Sequence, residues 1–403
     1  MFRPYSEVGG LPVRVVWDRG VVVECDGKRI ALDPQRPPPG CREVFITHAH
    51  TDHSKALRYR RPTKYLTEET LDITRRCGRP VRGRVELLSV GESVRVGPFE
   101  VVAHDAGHIL GSVEYEVRTP EGTILYTGDL GPSAEPVECD LLIIEATFGS
   151  PVFNFPNRRS VAMDMVVWAL EEVLPTGKIP AFRADHVGNA QEVISIFNRY
   201  TTVPVVAHPL VSRVCEAYKA HGVRLRYVDA SSSDGEALLE SGKCVYVAPK
   251  FVRPSGLDRF EWAFVSGWAS VLRCFGRPFP LSDHADFKKL MEFVSRSGPK
   301  IVLTFHGGGF ERPFSKRVME DLGVYGAPLR ELRSLVLRRG LRRVGVCERE
   351  ILNLVRMPGF VYSEEWIVKQ LSSMGFSRPE VSEALSNLVS TGLVRRVRDG
   401  YTL

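Results

Sequence analysis

The sequence has no long apolar run and no recognisable export signal. None of its hydrophobic stretches approaches the ~18–20 residues that a membrane helix needs, and residues 1–7 lack a basic and then apolar order. The eight cysteines are scattered singly without a Cys-x-x-Cys pair, which argues against a disulfide framework and a zinc knuckle. We therefore expect a cytoplasmic protein with buried thiols and no membrane contact.

Two common catalytic motifs are also missing. The chain has no Gly-x-x-x-x-Gly-Lys-Ser/Thr loop, so intrinsic ATP use is not expected. No Gly-x-Ser-x-Gly elbow accompanies the glycines at 307–309, which argues against an oxyanion loop of a serine hydrolase. Glutamine occurs only three times, while 42 of the 54 basic residues are Arg, a bias typical of growth at high temperature.

Length and composition indicate a globular protein of more than one domain. The 403 residues exceed the size at which single cores stop growing, ~250–300 residues. With 43% hydrophobic and 25% charged residues, the chain lies in the ordinary globular range. A fibrous or disordered protein is thereby excluded.

The positive charge is concentrated towards the C-terminus. Formal net charge is +6, and residues 330–403 hold 13 basic and 8 acidic residues, which leaves about +1 for residues 1–329. Apolar residues at 332, 335 and 336 are spaced for one helical face, so we predict a basic linker helix over residues 330–344. Its Arg face is either simply solvated or a surface that follows phosphates.

Three kinds of secondary-structure pattern follow each other along the chain. Short strands joined by turns dominate the first ~150 residues. Helical and strand patterns then alternate to about residue 265, which predicts an α/β insertion. Over residues 345–403 three helices precede a hairpin: Ser377-Arg378-Pro379-Glu380 is a capping box, and Asp399-Gly400 is a favoured hairpin turn. This order predicts a winged helix.

The densest chemical signal lies directly after a predicted strand, in the run His48-Ala49-His50-Thr51-Asp52-His53. Imidazole nitrogen and carboxylate oxygen are the donors that zinc favours, and this turn brings four of them together. A polar turn with ordinary histidines rarely has this spacing. The motif therefore predicts a metal site.

Further candidate ligands come later, each just past a strand and beside glycine: His108, Asp129 and His306. The glycines let the backbone turn sharply, so that the side chains can enter a shared cleft. Taken singly, each of these residues is more often structural than a ligand. Their order along the chain strengthens the prediction of a metal site.

The order His48-x-His50-x-Asp52-His53, His108, Asp129 resembles that of the metallo-β-lactamase fold. Residues 141–149, Leu281-Ser282-Asp283-His284-Ala285-Asp286 and the segment around His306 resemble its nucleic-acid-processing branch, β-CASP. Within that branch, the similarity is greatest to the bacterial ligase-associated exonucleases. It covers residues 1 to about 320.

The resemblance implies an α/β fold: an αββα sandwich with an inserted α/β cap. The expected domains are residues 1–148 with 266–329 for the catalytic unit, 149–265 for the cap, 330–344 for the linker and 345–403 for the winged helix. The C-terminal unit lies outside the resemblance, so nothing carries over to it.

The resemblance also implies the roles of single residues. One zinc ion would be held by His48, His50, His108 and a bridging Asp129, and a second by Asp52, His53, Asp129 and His306; manganese is a possible substitute. Asp33 would fix an imidazole tautomer. His284 would give a proton to the leaving oxygen, with Glu145 orienting it.

Substrate-binding residues are predicted at two places. The segment with Gly188 and Gln191 resembles the family's helix start, but Asn189 stands where a basic residue is common, which weakens the case for phosphate binding there. In the predicted wing, Arg395, Arg396 and Arg398 suit backbone phosphates. The C-terminal unit could equally mediate self-association or contact a protein.

The leading hypothesis is a zinc-dependent nuclease for single-stranded nucleic acid, with a DNA exonuclease in repair favoured and RNA 3′-end processing or degradation next. A DNA ligase or helicase is the candidate protein partner. A small-molecule thioesterase or lactonase of the same fold is less favoured, because such a substrate needs neither the cap nor the basic tail. A non-catalytic binding subunit is disfavoured because every ligand type is present.

Overall fold

Two sheets packed face to face form the centre of the computed structural model, which describes residues 12–403 except 273, 274, 333, 356 and 358. Val21 and Val23 of the first sheet point into the space between the sheets, where Val101 and Val117 of the second sheet meet them. Burial of these β-branched side chains holds the two sheets together.

Seven strands are found in each sheet within the described residues. The first sheet runs, in spatial order, through Leu335–Leu337, Val13–Trp17, Val21–Cys25, Lys28–Leu32, Glu43–Phe45, Thr63–Leu66 and Val85–Leu87. The second runs through Tyr325–Pro328, Ile301–Phe305, Leu141–Glu145, Gly122–Tyr126, Val113–Thr119, Phe99–Asp105 and Ser93–Val96.

Helices cover the outer face of both sheets, because several central strands are apolar on both sides. The first sheet packs against the 3₁₀ turn Lys55–Arg58, which follows the short helix Thr51–Ser54, and against the helix Glu68–Arg76. The second packs against Phe287–Ser297 and Glu311–Leu322. The predicted αββα sandwich is confirmed.

The cap is inserted between two neighbouring strands of the second sheet, Leu141–Glu145 and Ile301–Phe305. Its sheet is parallel, with the order Val228–Asp229, Val205–Ala207, Val245–Pro249, Ile179–Ala184, Phe260–Val265 and Arg277–Phe279. Its helices are Arg158–Val167, the π-helical segment Trp168–Val173, the 3₁₀ turns Leu174–Thr176 and Gly267–Ser270, Asn189–Tyr200, Pro209–Ala220 and Ser233–Ser241.

The sheet of the cap extends beyond residue 265, where the sequence predicted the end of the insertion. Arg277–Phe279 pairs in parallel with Phe260–Val265 and adds an edge strand. This strand has only three residues, two of them exposed, so its sequence has no apolar run that would reveal it.

The basic helix predicted over residues 330–344 is wrong. After the 3₁₀ turn Leu329–Glu331, Leu335–Leu337 forms an edge strand that pairs antiparallel with Val13–Trp17. Leu335 and Leu337 are buried in the sandwich, while Val336 faces the other way. The true period is therefore two, which a three-residue apolar run does not distinguish from a helical one.

Three helices and a hairpin form the C-terminal unit within the described residues. They are Val346–Leu354, Glu364–Ser372, Arg378–Ser390, and the strands Arg395–Val397 and Gly400–Thr402. Ile351, Leu371 and Leu385 join the same apolar cluster as the interior of the sandwich, so this unit packs directly on it. Its assignment to the winged-helix class stays a prediction.

The helices in the described part of the chain are too short or too polar to span a membrane. No helix there combines the length and the apolar character that crossing a bilayer requires.

We expect Leu337→Ala to lower the free energy of unfolding by about 2–5 kcal/mol, because it leaves a cavity between the sheets. Val336→Ala is the matched control and should change it much less, since that side chain is not part of the interior. Urea denaturation followed by circular dichroism measures both. Equal effects of the two substitutions would contradict the edge-strand assignment.

Candidate metal centre

The candidate ligands meet at one end of the sandwich, where strands of both sheets terminate. The strands Lys28–Leu32 and Glu43–Phe45 are parallel and lead to Asp33 and to the 48–53 turn. From the second sheet, Gly122–Tyr126, Leu141–Glu145 and Ile301–Phe305 run in parallel towards the same edge. Carboxyl ends of parallel strands share an edge, so distant parts of the chain converge there.

The backbone is strained at two of these strand ends. Asp33 and His306 have φ angles of 45° and 52°, the left-handed region that non-glycine residues seldom adopt. Gly128, beside Asp129, has φ 56°, and a Cβ there would lie 2.6 Å from Thr47 Oγ1. Such strain persists only where surrounding contacts enforce it, and it clusters at functional sites.

A first group of donors comprises His48, His50, His108 and Asp129, whose ligand atoms all lie within 4.8 Å of one another. His48 Nε2 and His108 Nε2 are each 3.1 Å from His50 Nδ1. They lie 3.4 and 3.7 Å from Asp129 Oδ2. Three imidazole nitrogens and one carboxylate oxygen around one point form a set that zinc accepts.

A second group lies on the other side of Asp129. Asp52, His53 and His306 form a cluster of possible ligands, and His306 Nε2 is 3.2 Å from Asp52 Oδ2. The other oxygen of Asp129, Oδ1, is 3.2 Å from His53 Nε2 and 3.9 Å from His306 Nε2. Asp129 therefore faces one group with each of its oxygens, as a bridging ligand does.

Two atoms at the middle of the second group are buried without a hydrogen-bond partner: His53 Nε2 and Asp129 Oδ1. Burying a polar atom without a partner is costly, so native proteins rarely leave it unsatisfied. A cation between the two groups would satisfy both atoms. The donor set and these unpartnered atoms together fit a metal site.

Each imidazole of the first group also makes a hydrogen bond through the ring nitrogen that points away from the other ligands. His48 Nδ1 lies 2.9 Å from Thr47 Oγ1. His50 Nε2 lies 3.2 Å from the carbonyl of Val187, and His108 Nδ1 lies 3.0 Å from the carbonyl of Asp283. Contacts of this kind orient a metal-ligating ring and set which nitrogen carries the proton.

Asp33 plays the same part for His53. One of its oxygens, Oδ2, accepts from Tyr126 Oη at 3.1 Å and lies 2.7 Å from His53 Nδ1. The same carboxylate accepts from the backbone N–H and the hydroxyl of Thr47 at 2.8 and 2.6 Å. Asp33 thus fixes the strand end by its hydrogen bonds to Thr47 and orients the His53 ring so that Nε2 points towards the centre.

Burial and charge set the protonation states in favour of a cation. Burial first, and then the charge of His284, lower the pKa of His108 to about 4. Burial likewise holds the pKa of His48 well below its ordinary value and lowers that of His50. Neutral imidazole is the form that coordinates a metal, so all three rings are available as ligands at neutral pH.

In the second group, neighbouring charges affect the pKa values more strongly than burial does. Burial disfavours the imidazolium of His53, but Asp129 and Asp33 hold its pKa well above the ordinary value. Burial would raise the pKa of Asp129, yet the neighbouring His53, His306 and His284 hold it well below. A positive charge is favoured at this place, as a proton or as a metal ion.

Glu145 and His284 form a pair beside the first group. Glu145 is fully buried; its Oε1 lies 3.0 Å from His284 Nδ1 and accepts from the backbone N–H of Leu130 at 2.6 Å. His284 Nε2 lies 3.8 Å from Asp129 Oδ2. Although burial opposes the imidazolium, the charges of Glu145 and then Asp129 raise the pKa of His284 to about 10.

Gly188 and Gln191 do not offer the free groups that phosphate binding would need. Gln191 Oε1 accepts from the backbone N–H of Gly188 at 2.8 Å, and its Nε2 donates to the carbonyl of His186 at 3.1 Å. A Cβ on Gly188 would lie 2.3 Å from Asp283 Oδ2, so a carboxylate already occupies this helix start. Gln191 caps its own helix, and substrate binding by Gly188 and Gln191 stays a prediction.

Arg395 and Arg396 are exposed on the first strand of the C-terminal hairpin, and Arg398 is exposed in its turn. No ion pair holds any of the three among the residues that the structure describes. Phosphate binding by them stays a prediction.

Sequence reasoning missed the groups that hold the histidine rings from behind. Thr47 directly precedes the motif and could have been found as a neighbouring hydroxyl. The carbonyls of Val187 and Asp283 have no side-chain signature, because any residue type provides a carbonyl.

Comparison with known proteins finds several partial relatives, although no family model matches. The chain is 29% identical over 306 residues, 69% of its length, to a probable DNA ligase from Opitutus terrae, of which it covers 28%. It is 29% identical over 218 residues, 45% of its length, to an RNase J-like protein from Methanocaldococcus jannaschii, of which it covers 51%. Both relatives are thus substantially longer than the matched region.

A solved structure of a protein of unknown function from Enterococcus faecalis matches with a TM-score of 0.58 at 16% identity. The match covers 81% of this chain and all of that one. At this identity the likeness concerns the fold alone.

The ordered ligand set, the cap inserted before His284 and the sequence relatives all point in one direction. The chain has the ligand order and the inserted cap that are typical of the β-CASP branch of the metallo-β-lactamase fold. The cap contributes directly to the candidate metal centre, because the carbonyl that lies next to His50 comes from Val187 of the insertion.

We expect Asp129→Ala to remove bound metal from both groups of the candidate metal centre, because each group then loses one carboxylate oxygen. Glu145→Gln is the matched control: it is buried nearby but lies behind His284, so metal content should persist. Elemental analysis of metal per chain measures this. Full metal content in the Asp129 variant would contradict a shared bridging ligand.

Proposed function

We propose that the chain is a zinc-dependent nuclease that hydrolyses phosphodiester bonds of single-stranded nucleic acid. The observation that supports it most is the position of the Asp129 carboxylate between the two ligand groups. Its Oδ2 lies 3.4 Å from His48 Nε2 in the first group, and its Oδ1 lies 3.2 Å from His53 Nε2 in the second. Two zinc ions would be held, one by His48, His50, His108 and Asp129, the other by Asp52, His53, Asp129 and His306, with manganese as a substitute. Such a pair supplies an activated water and clamps a phosphoryl oxygen.

His284 is the proton donor in this proposal. Its Nδ1–H donates to Glu145, which leaves Nε2 directed towards the centre, 3.8 Å from Asp129 Oδ2. The carboxylate of Glu145 favours the charged form of the ring, so His284 keeps a proton that it can give to the leaving oxygen. Glu145 is a positioning residue, since its own oxygens are engaged by His284 and by the backbone N–H groups of Leu130 and Thr147.

Charge on the surface favours a polyanion as substrate. Residues 34–84 hold twelve basic and five acidic residues. Eight of the basic side chains are exposed and have no ion-pair partner within the described chain. One is Arg75, and the other seven, which we call the basic face, are Arg36, Arg42, Lys55, Arg58, Arg60, Arg61 and Arg82.

The basic face reaches the metal centre. Lys55 Nζ donates to Gln35 Oε1 at 2.6 Å, and Gln35 Nε2 donates to the carbonyl of Asp52 at 2.5 Å. At its other end, Arg36, Arg42, Arg60 and Arg61 line a cleft of about 930 Å³. A strand with one phosphate at the metals could therefore extend over this face, whereas a small thioester or lactone has no use for it.

DNA is the favoured substrate and RNA the alternative. The relative from Opitutus terrae is named a probable DNA ligase, which suggests exonuclease action in repair with a ligase or a helicase as partner. An RNase J-like protein and a cleavage and polyadenylation specificity factor subunit 3 from Dictyostelium discoideum, 25% identical over 293 residues, favour RNA processing or degradation. Self-association through the C-terminal unit belongs to the same proposal.

We expect His284→Gln to lower kcat by about 10²–10⁴-fold, because the leaving oxygen then lacks its proton donor. Metal content and KM should change little. End-labelled single-stranded DNA and RNA, each incubated with the metal-loaded protein, provide the assay. Cleavage of neither polymer by the intact protein, with turnover of a thioester instead, would overturn the nuclease assignment.

Charge removal tests the basic face. The double substitution Arg60→Ala/Arg61→Ala should weaken binding of a long oligonucleotide and lower the slope of log affinity against log salt by about 1–2. Arg338→Ala/Arg339→Ala is the control, because these exposed residues follow Leu335–Leu337 at the end of the sandwich opposite the metals. An Arg395/Arg396/Arg398→Ala variant measures the hairpin in the same way. Equal slopes for the Arg60/Arg61 variant and the intact protein would exclude this surface.

A further inference from the structure

An exposed aromatic ring lies at the edge of the cap that faces the metals. Phe251, two residues beyond the strand Val245–Pro249, is 62% exposed. Its ring centroid lies 6.0 Å from that of His186, with the planes at 73°. Single exposed apolar residues are common on protein surfaces, so its surroundings must decide whether the ring has a use.

Those surroundings are the carboxyl ends of parallel strands, where open α/β sheets bind ligands. His186 follows the strand Ile179–Ala184, which pairs in parallel with Val245–Pro249. The N–H of Lys250 donates to the carbonyl of Ala184 at 2.7 Å and ties the two loops together. The rings of His186 and Phe251 thus belong to one rigid edge.

That edge lies next to a metal ligand. The residue after His186 is Val187, whose carbonyl lies 3.2 Å from His50 Nε2. The charge of His50 is also among those that act on the His186 ring. In the chain, His186 of the aromatic pair is therefore adjacent to the residue that contacts the ligand His50.

A cation from the sandwich lies at the same place. Arg79 Nη1 donates to Ser54 Oγ at 2.8 Å and lies 3.5 Å from Thr51 Oγ1, residues that flank the ligands Asp52 and His53. Arg79 acts electrostatically on His186 as well. No carboxylate pairs with Arg79 among the residues described, whereas Lys250, the other cation that acts on His186, is paired with Asp185 at 2.6 Å.

We propose that Arg79, His186 and Phe251 form a nucleotide subsite beside the metal centre, in which Arg79 binds a backbone phosphate and Phe251, backed by His186, stacks on the base. Stacking on an aromatic face combined with a cation for the phosphate is how proteins hold single-stranded nucleic acid without reading its sequence. Asp185 and Lys250, the polar side chains next to the two rings in sequence, pair with each other. The subsite therefore tolerates any base. This inference deepens the proposed nuclease function and rests on it.

The test uses the metal-loaded chain of residues 1–403 and a set of trinucleotides with hydrolysis-resistant phosphorothioate linkages. In each trinucleotide one position carries 2-aminopurine, whose fluorescence is quenched by stacking. One position should be quenched by the intact protein. Phe251→Ala should abolish that quenching and weaken binding about 5–150-fold, the range measured for the loss of one stacked base. Phe251→Trp should restore both.

Matched variants separate the base from the phosphate. Leu257→Ala is the control and should change neither quenching nor affinity. Leu257 is an exposed apolar residue, at 51%, near the opposite, amino-terminal end of the strand Phe260–Val265. An abasic nucleotide at the quenched position should bind the intact protein and the Phe251→Ala variant equally. Arg79→Gln should weaken both ligands and lower the salt dependence, which Phe251→Ala should leave unchanged.

Two results would overturn the subsite: no position quenched by the intact protein, or an equal loss of affinity for the abasic ligand in Phe251→Ala. Because binding is measured without turnover, the outcome is independent of nuclease activity. Quenching that depends on Phe251, in a protein that cleaves no oligonucleotide, would keep the subsite and reject the proposed function.

Discussion

The buried carboxylate of Asp129 is the element on which the rest of the centre depends. It is 3% exposed and lies among His48, His53, His108, His284 and His306, with charge interactions of 3.2–3.9 Å. A carboxylate in such a place needs positive charge around it. Protons on the imidazoles supply this charge only in part, since burial keeps His48 and His108 neutral. A metal cation would resolve this conflict and would explain why so many donors converge.

Convergence of this kind requires the whole sandwich. Asp33 and the 48–53 turn come from the first sheet, while Asp129 and His306 come from the second. The positive φ angles of Asp33 and His306 are sustained by the packing of both sheets, and Asp33 alone satisfies four polar groups. A metal ion that binds only the folded protein stabilises the folded state. This stabilisation would offset the free energy that the strained strand ends cost.

The sequence reveals what is local and hides what depends on packing. The 48–53 turn could be predicted because its donors are neighbours in the chain, and the ordered residues His108, Asp129 and His306 follow from the family resemblance. The strand Leu335–Leu337 could not, since its role is decided by the open edge of Val13–Trp17. The basic face was missed for a different reason: the near-neutral average of residues 1–329 conceals the basic segment of residues 34–84.

The cap is more than a cover over the metals. The carbonyl of Val187 lies 3.2 Å from His50 Nε2, and that of Asp283 lies 3.0 Å from His108 Nδ1. Two ligands of the first group are thus oriented by backbone from the part of the chain between the strands Leu141–Glu145 and Ile301–Phe305. A shift of the insertion would turn these rings away from Asp129 and weaken metal binding. Conversely, a bound metal fixes the rings and, through them, the cap edge that carries His186. Position of the cap and occupancy of the centre are therefore thermodynamically linked, and linkage of this kind is reciprocal.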